Sequence, residues 1–361
     1  MLFDPRPKEK RSELFDREDE LKELRSLVEE GPPVILLVGI RRIGKTSVLK
    51  TFLNESSSPH IFIDARKLSE FEFSRAGLYA VLSEEFSRLG RKFSGILKYL
   101  KIRGVRISGF EVEFDWKKER PSIFMLLDRV NEFGAQSGET FLVAIDEAQL
   151  LRFMRGRGKV DFRQVIAYCY DNLKNVKFLL SGSEVGLLHS FIGIEDPSSP
   201  MYGRIYGEVV VDRFDREKSL TFLKKGFLEL GIEVPEDLVE RAVNTLDGIP
   251  GWLAHFGYAY AKLRRGNALD RILNEAIELA LSEVRKLGNL SELYVHVLKA
   301  VAMGYDRWNS IKKAAEAWMG RPVPGQTLAR ILKNLEKMSI LKSGERYEFH
   351  DPVVREASKR L

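Results

Sequence analysis

The stretch Gly39-Ile40-Arg41-Arg42-Ile43-Gly44-Lys45-Thr46 meets the spacing G-x-x-x-x-G-K-[ST] at every fixed position. The apolar residues 34–38 precede it and favour a buried strand, and residues 47–53 carry apolar side chains at helical spacing. A strand, a glycine-containing turn and a helix start are the context in which this spacing binds phosphate groups. We therefore predict a site for a nucleoside triphosphate, with an ordinary glycine turn as the alternative.

The residue types in this stretch suit the chemistry of a triphosphate. Gly39 and Gly44 permit a tight turn, so that backbone N–H groups can point at the phosphate oxygens. Lys45 is predicted to reach the β- and γ-phosphates as a catalytic cation, and the Thr46 hydroxyl to bind Mg²⁺. The predicted nucleotide-binding residues here are Gly39, Ile40, Arg41, Arg42, Ile43, Gly44, Lys45, Thr46 and Ser47.

A second motif lies about 100 residues downstream, where the apolar run 141–145 ends in Asp146 and Glu147. Adjacent carboxylates are not tolerated inside a buried strand, but they suit its carboxyl end, where ligands of parallel sheets bind. We predict that Asp146 holds Mg²⁺ through water and that Glu147 orients and deprotonates the attacking water. A strand that ends at a solvated acidic turn is the alternative.

Four further candidate residues rest on weaker patterns. Ser181 and Ser183 follow the apolar run 176–180 and could sense a γ-phosphate, although a turn rich in Ser and Gly explains them equally simply. Arg204 precedes a predicted strand at 208–211 and is a candidate catalytic cation, or an ordinary surface arginine. Pro250 begins a predicted helix, where proline is common, but its ring could also pack on an adenine base.

The composition is that of a folded protein with two or three domains. The chain has 361 residues, of which 44% are hydrophobic and 30% charged. No apolar run approaches the roughly 18 residues of a membrane span, and no hydrophobic signal region follows the polar N-terminus. We expect a cytoplasmic protein without a membrane partner. The single cysteine, Cys169, lies in an apolar run and is expected in the core.

Alternating strand and helix patterns predict a parallel sheet covered by helices on both faces. The pattern divides the chain into an N-terminal segment and helix (1–31), a core (32–212) with an inserted hairpin at about 91–120, a helical lid (213–288) and a winged helix (289–361). Residues 293–361 hold thirteen Lys or Arg against seven Asp or Glu. The difference, +6, equals the net charge of the whole chain. This basic module is a candidate for contact with a polyanion.

The third helix of the predicted winged helix has apolar residues on one face and polar or basic residues on the other. Such a helix suits the major groove of DNA, although a solvated face is the common alternative. Binding of a protein partner and self-association are further alternatives. The candidate DNA contacts are Arg330, Lys333, Asn334 and Lys337.

Together these features resemble the archaeal ATPase family, which lies among the signal-transduction ATPases with numerous domains (STAND) and close to AAA+ proteins. The resemblance runs from about Leu14 to the C-terminus. It rests on the phosphate loop with its paired arginines and on Asp146-Glu147-Ala148-Gln149, Gly182-Ser183, Tyr202-Gly203-Arg204, Gly248-Ile249-Pro250 and Asp351-Pro352.

The resemblance implies an α/β P-loop NTPase core with a helical lid and a C-terminal winged helix, and with the phosphate-loop strand near the centre of the sheet. It implies ATP or ADP and Mg²⁺ as ligands, Lys45 and Thr46 on phosphates and metal, and Asp146 and Glu147 at the hydrolytic centre. It also implies Pro250 near the adenine. Phe15-Asp16-Arg17-Glu18 resembles the family's adenine-side motif, which makes Arg17 a nucleotide-binding candidate, although Asp16 stands where many relatives have glycine.

The sequence therefore predicts an ATPase in which Mg-ATP sets the relative position of core, lid and winged helix, with DNA or a protein as the output. A nucleotide-gated scaffold with little turnover is one alternative. A DNA-binding ATPase like the replication initiators is another, because those proteins also join a core, a lid and a winged helix.

Overall fold

The computed structural model of the protein describes residues 1–115, 121–156, 158–263 and 268–361. Its strands, numbered in chain order, are β1 (Val34–Val38), β2 (His60–Asp64), β3 (Val105–Ser108), β4 (Glu111–Phe114), β5 (Phe141–Asp146), β6 (Val176–Gly182), β7 (Gly207–Val210), β8 (Leu341–Lys342) and β9 (Glu348–Phe349). Its first six helices are α1 (Glu18–Glu30), α2 (Lys45–Glu55), α3 (Arg75–Lys92), α4 (Ile123–Ser137), α5 (Phe162–Asn172) and α6 (Val185–Ile192). The others are α7 (Arg216–Glu229), α8 (Glu236–Leu246), α9 (Pro250–Leu263), α10 (Ala268–Arg285), α11 (Glu292–Ala302), α12 (Trp308–Met319), α13 (Gly325–Lys337) and α14 (Pro352–Ser358).

The core is a five-stranded parallel sheet in the order β2-β5-β6-β1-β7. Every residue of β1, β5 and β6 is buried, as expected for parallel strands that helices cover on both faces. Strand β1 lies one position from an edge, between β6 and β7, whereas the resemblance implied a place near the centre. The predicted α/β class is correct, but periodicity alone could not order the strands.

Two separate cores flank this sheet because side chains alternate along each strand. Val34, Leu36 and Val38 face a core that α3, α4 and α5 complete. Ile35 and Leu37 face the opposite core, which is built with α1 and α2. Helix α1 therefore packs on the five-stranded sheet itself and is part of that unit.

The predicted insertion contains an antiparallel pair of strands, β3 and β4. Val112 and Phe114 on one face of β4 are buried against α3, and the Ser83 and Ser87 hydroxyls of α3 accept hydrogen bonds from the backbone of β4. The last residues of the predicted insertion, 116–120, lie outside the described residues. The ribbon thus packs on α3 and adds Val112 and Phe114 to the core on that face of the sheet.

The helical lid is built from α7 to α10, and its core takes residues from distant parts of the sequence. Phe3 is fully buried there, and its ring fills the space left by Gly226 and Gly257. Val353 and Ala357 of α14 enter the same core. The lid therefore includes residues that the predicted boundaries assign to the segment 1–31 and to the winged helix 289–361.

The winged helix consists of α11, α12, α13 and the short hairpin β8–β9, with buried Val297, Ile311, Leu328 and Leu335 among its core residues. It is docked on the core: the Val185 amide of α6 donates to Ser339 Oγ at 3.1 Å. A Cβ added at Gly186 would lie 2.7 Å from the Lys337 Cα, so α6 and the end of α13 approach closely. Across the described ranges, no helix is both long and apolar enough to cross a membrane.

Candidate active site at the carboxyl edge of the sheet

The predicted motifs meet at one edge because β1, β5 and β6 are parallel and adjacent. Val38, the last residue of β1, pairs with Gly182 of β6, and Ile145 of β5 pairs with Leu180 of β6. The phosphate-loop stretch, the acidic pair and the two serines therefore follow neighbouring strand ends. This is the position at which open parallel sheets bind their ligands.

Glycine is required at both ends of the loop. Gly39 has φ 152°, and a Cβ there would lie 2.3 Å from the carbonyl oxygen of Val211. Gly44 has φ 101°, a conformation that residues with a Cβ rarely adopt. The next residue, Lys45, begins α2, so the first amides of that helix open toward the loop.

Lys45 is buried and points back into the loop. Its Nζ donates to the carbonyl oxygens of Gly39 and Ile40, both at 2.8 Å, and 5% of the residue is exposed. Burial lowers the pKa of the Lys45 ammonium to about 8. A phosphate at this point would supply the negative charge that favours the ammonium form, and the amine would have to leave the two carbonyls to bind it.

Asp146 lies between two hydroxyl donors. Thr46 Oγ1 donates to Asp146 Oδ2 at 2.8 Å, and Ser181 Oγ donates to Asp146 Oδ1. The carboxyl is almost fully buried, and this desolvation raises its pKa. A hydroxyl and a carboxylate in contact are a suitable oxygen donor set for Mg²⁺, which takes few protein ligands and keeps several waters. Thr46 and Asp146 therefore fit the predicted metal role.

Glu147 has a left-handed backbone, with φ 52°, which turns its side chain sharply out of β5. Its Oε2 accepts from Ser183 Oγ at 2.9 Å and from Gln149 Nε2 at 2.6 Å. Both serines named in the sequence analysis thus contact the acidic pair: Ser181 contacts Asp146, and Ser183 contacts Glu147. Since both partners of Glu147 are donors, they fix the direction of its carboxylate.

Gln149 is a site residue that sequence reasoning gave no role, although it belongs to the quoted motif Asp146-Glu147-Ala148-Gln149. It is 2% exposed, and its Oε1 has no hydrogen-bond partner among the described residues. A Cβ at Gly182 would lie 2.6 Å from that oxygen, so glycine is needed there for the amide to fit. The glutamine amide two residues after the acidic pair was the available signal.

The structure places Arg17 beside the phosphate loop, where its guanidinium is bonded to backbone carbonyl oxygens. Arg17 Nη2 donates to the carbonyl oxygens of Ile43 at 3.2 Å and Asp212 at 2.8 Å, and the guanidinium lies 4.6 Å from the centre of the Phe214 ring. It thereby joins the phosphate loop to the segment that follows β7. Pro250 lies close to the loop, because the amide of the next residue, Gly251, donates to the Arg42 carbonyl at 2.9 Å.

The side chains of the paired arginines turn toward acidic residues of the lid and the core. Arg42 Nη2 lies 2.5 Å from Glu283 Oε1 of α10. Arg41 lies 3.4 Å from both Glu283 and Glu184. The sequence analysis did not single out Glu283, because no local pattern connects it with a loop 240 residues earlier.

Arg204 is not brought to this edge of the sheet. It pairs with Asp171 at 2.7 Å and donates to the Pro200 carbonyl. Gly207, three residues later, pairs with Ile35 near the start of β1, so Arg204 lies near the amino edge. The structure therefore does not bring Arg204 to the phosphate loop of its own chain.

The predicted DNA face of α13 divides into two halves. Arg330 and Lys333 are exposed and have no ion-pair partner within the described chain. Asn334 donates to the Tyr294 hydroxyl at 2.7 Å, and Lys337 lies against Gly186. Only the first half of the face is therefore open to a ligand in this arrangement.

Residues 14–256 match the model of an ATPase domain found predominantly in Archaea, and residues 289–350 match that of the C-terminal winged helix-turn-helix domain of MCM protein. A solved Walker-type ATPase of Pyrococcus abyssi is similar at 41% identity and a TM-score of 0.86, with 99% of this chain and 100% of that chain covered. No curated protein matches the chain.

A more distant similarity is to the ORC2 protein of Aeropyrum pernix, solved in complexes with ADPNP and ADP. It has 13% identity and a TM-score of 0.62, with 99% of this chain and 95% of that chain covered. At this identity the likeness shows a shared fold. Together with the family models, it confirms the P-loop core and the winged helix that the sequence predicted.

Proposed function

Because this chain belongs to the family of ATPase domains found predominantly in Archaea, we propose that it hydrolyses ATP with Mg²⁺ and uses the cycle as a conformational switch. The switch joins three parts: the core, the lid and the winged helix. DNA is the proposed output, read by the winged helix. The family supports ATP binding, and the arrangement of side chains supports the remaining steps.

The observation that carries the proposal is the contact of Thr46 with Asp146 at 2.8 Å beside Lys45. Three side chains from two motifs, about 100 residues apart in sequence, meet at one strand edge. A solvated acidic turn would leave Asp146 exposed, whereas this carboxyl is 1% exposed. Such a buried group is expected to have a cation as its working partner.

The chain's own residues supply binding and proton transfer. Lys45 and the amides at the start of α2 bind the phosphates, and Thr46 and Asp146 hold the metal, which neutralises charge on the triphosphate when it is bound. Glu147, held by Ser183 and Gln149, takes the proton of the attacking water. The water oxygen bonds to the γ-phosphorus, the bond between that phosphorus and the bridging oxygen breaks, and ADP and phosphate leave.

The lid contacts support a switch. The Gly251 amide of α9 bonds to the loop backbone at Arg42, and Glu283 of α10 pairs with the side chain of the same residue. A nucleotide that changes the loop therefore changes lid contacts, and it shifts the arrangement by the difference in its affinity for the two states.

DNA is proposed as the output because residues 293–361 of the winged helix carry a net charge of +6, equal to that of the whole chain, and because Arg330 and Lys333 are exposed on α13. The similarity of residues 289–350 to a winged helix-turn-helix of MCM protein agrees with this class of partner. A protein partner would use the same module without the salt dependence of DNA binding. Arg204 would serve catalysis only from a neighbouring copy.

The alternative is a nucleotide-gated scaffold with little turnover. The observation in its favour is that Glu147 is tied to Ser183 and Gln149, which would restrain it if those bonds persist with ATP bound. Repeated phosphate release distinguishes the two functions.

The test is multiple-turnover phosphate release from Mg-ATP, with and without duplex DNA. Lys45→Ala is the site variant, and Lys50→Ala, an exchange at a lysine on the same helix α2, is the matched control. We expect turnover in the control and its loss in Lys45→Ala. Nucleotide binding without turnover in the unmodified protein would favour the scaffold, and binding that Lys45→Ala leaves unchanged would refute the site.

A further inference from the structure

The Arg42 side chain leaves the phosphate loop and enters the lid. Its guanidinium lies 4.2 Å from the centre of the Trp252 ring while Nη2 pairs with Glu283. A planar guanidinium can stack on an indole and bond a carboxylate at the same time, which an ammonium cannot. The guanidinium of Arg42 therefore has two partners in the lid: the Trp252 ring against its planar face and the Glu283 carboxylate at its edge.

Trp252 continues this line of contacts toward the winged helix. Its Nε1 donates to Asp351 Oδ2 at 2.8 Å, and both residues are buried. The other oxygen of Asp351 accepts from the Val353 amide at 2.8 Å and thus caps α14. Breaking this hydrogen bond would leave the buried N–H of Trp252 without an acceptor, so the contact between Trp252 and Asp351 is costly to separate.

Helix α14 bridges the cores of the lid and the winged helix. Val353 and Ala357 are buried in the lid, while Val354 and Leu361 pack against both cores. In addition, Lys299 Nζ of α11 donates to the Leu361 carbonyl at 2.6 Å. Helix α14 therefore connects Asp351 physically with α11 and with the core of the winged helix.

We propose that Arg42, Trp252 and Asp351 form a coupling path that links the phosphate loop to the position of the winged helix. In this path Arg42 is a positioning residue whose side chain does not bind phosphate. The inference rests on the proposed function, because it needs a nucleotide to act on the loop. Gly251 allows the start of α9 to pack closely on the loop, because a Cβ there would lie 2.7 Å from the Arg42 Cβ.

The loop is able to report nucleotide binding because its hydrogen bonds must change. Lys45 Nζ donates to the Gly39 and Ile40 carbonyls, and the same amine is the predicted phosphate ligand. When it moves to a phosphate, both carbonyls lose their partner and the loop relaxes. The Arg42 carbonyl, bonded to the Gly251 amide, passes that change to the turn of α9 that carries Trp252.

The experiment measures the distance between the core and the winged helix in the full chain with two spin labels. Ser26→Cys on α1 and Ala317→Cys on α12 are exposed positions outside the path. The native Cys169 is fully buried, and burial raises the pKa of its thiol to about 12, so the labels go to the new cysteines. Distances are recorded with and without Mg²⁺ and a non-hydrolysable ATP analogue.

Two variants remove the hydrogen bond between Trp252 and Asp351. Trp252→Phe removes the N–H donor and keeps an aromatic ring for Arg42. Asp351→Ser keeps a capping oxygen for α14 but is too short to reach Trp252, and it serves if the first variant folds poorly. Trp308→Phe makes the same exchange within the winged helix, away from the path, and is the matched control. Calorimetry gives the affinity of each variant for the analogue.

We expect the analogue to change the distance in the unmodified protein and in Trp308→Phe. Trp252→Phe and Asp351→Ser should reduce that change by about half or more while the affinity stays within about threefold, because the path alters the response and not the binding groups. An undiminished change in both variants would overturn the path. So would a constant distance in an unmodified protein that binds the analogue, and that result leaves the nucleotide site standing. Absence of binding contradicts the proposed function itself.

Discussion

The strand edge at Lys45 and the exposed face of α13 were both predicted from side-chain patterns. The structure brings the predicted residues together at the strand edge, but it leaves only part of the α13 face available to a ligand. At the edge, Lys45, Thr46, Asp146 and Glu147 come together, and Thr46 bonds directly to Asp146. On α13, Asn334 and Lys337 are used in contacts with the protein. A site at parallel strand ends follows from the sheet, whereas the availability of a helix face depends on where its domain docks.

The largest expected effect is on the edge. Glu147→Gln should lower kcat for phosphate release by about 10²- to 10⁴-fold, the usual contribution of a positioned general base. Nucleotide affinity should remain, because Glu147 has no predicted contact with the phosphates. Steady-state phosphate release and equilibrium binding of Mg-ATP measure the two quantities. Turnover equal to that of the unmodified protein would remove Glu147 from its role.

Lys45→Ala should weaken binding of Mg-ATP by roughly 10²-fold or more, since a buried charge-assisted contact is lost. Calorimetric titration with the non-hydrolysable analogue measures this change. The exchange at Lys50, whose amine pairs with the exposed Glu9 at 2.7 Å, should have little effect. Equal affinities in the two variants would break the contrast on which the edge assignment rests.

Gln149→Leu tests whether turnover depends on a residue that holds the catalytic carboxylate of Glu147 in position. The exchange keeps the volume but removes the amide that holds Glu147, so kcat should fall about 10- to 100-fold through misplacement of the carboxylate. Nucleotide affinity should be unchanged. The control is Gln164→Leu, at an exposed position of α5. A parallel loss of affinity would show that Gln149 serves folding and does not position Glu147.

The smallest expected effect concerns the two halves of α13. Arg330→Ala and Lys333→Ala should each make the negative slope of log affinity for duplex DNA against log salt shallower by about 0.9, as for the loss of one phosphate contact. Lys337→Ala should leave the slope unchanged because the residue lies against α6. An equal loss in Lys337→Ala would mean that the winged helix leaves the core before it binds DNA.

The sequence was sufficient for features whose signal is local. The loop spacing, the acidic pair after an apolar strand and the helical period of α13 predicted the fold class and most of the residues at the edge. The strand order was not accessible, because periodicity does not say which strands are neighbours. The burial of Phe3 in the lid and the pairing of Arg42 with Glu283 were also hidden, since both join segments about 220 to 240 residues apart.

Patterns were least informative where a residue type has several common uses. The sequence predicts Arg17 as a ligand of the nucleotide, and in the structure its buried guanidinium bonds a carbonyl of the loop and a carbonyl of the segment after β7. Arg204 reads as a catalytic cation, but it pairs with Asp171 near the far edge of the sheet. An arginine can bind phosphate, carboxylate or carbonyl oxygen, and only the fold decides which of these is near.

The most direct test of the central claim is a structure of the protein with Mg²⁺ and a non-hydrolysable ATP analogue, measured at Lys45. We predict that Lys45 Nζ leaves the carbonyl oxygens of Gly39 and Ile40 and lies about 3 Å from the β- and γ-phosphate oxygens, with Thr46 Oγ1 on the metal. An analogue bound elsewhere, with Lys45 still donating to both carbonyls, would contradict the assignment of this edge as the ATP site.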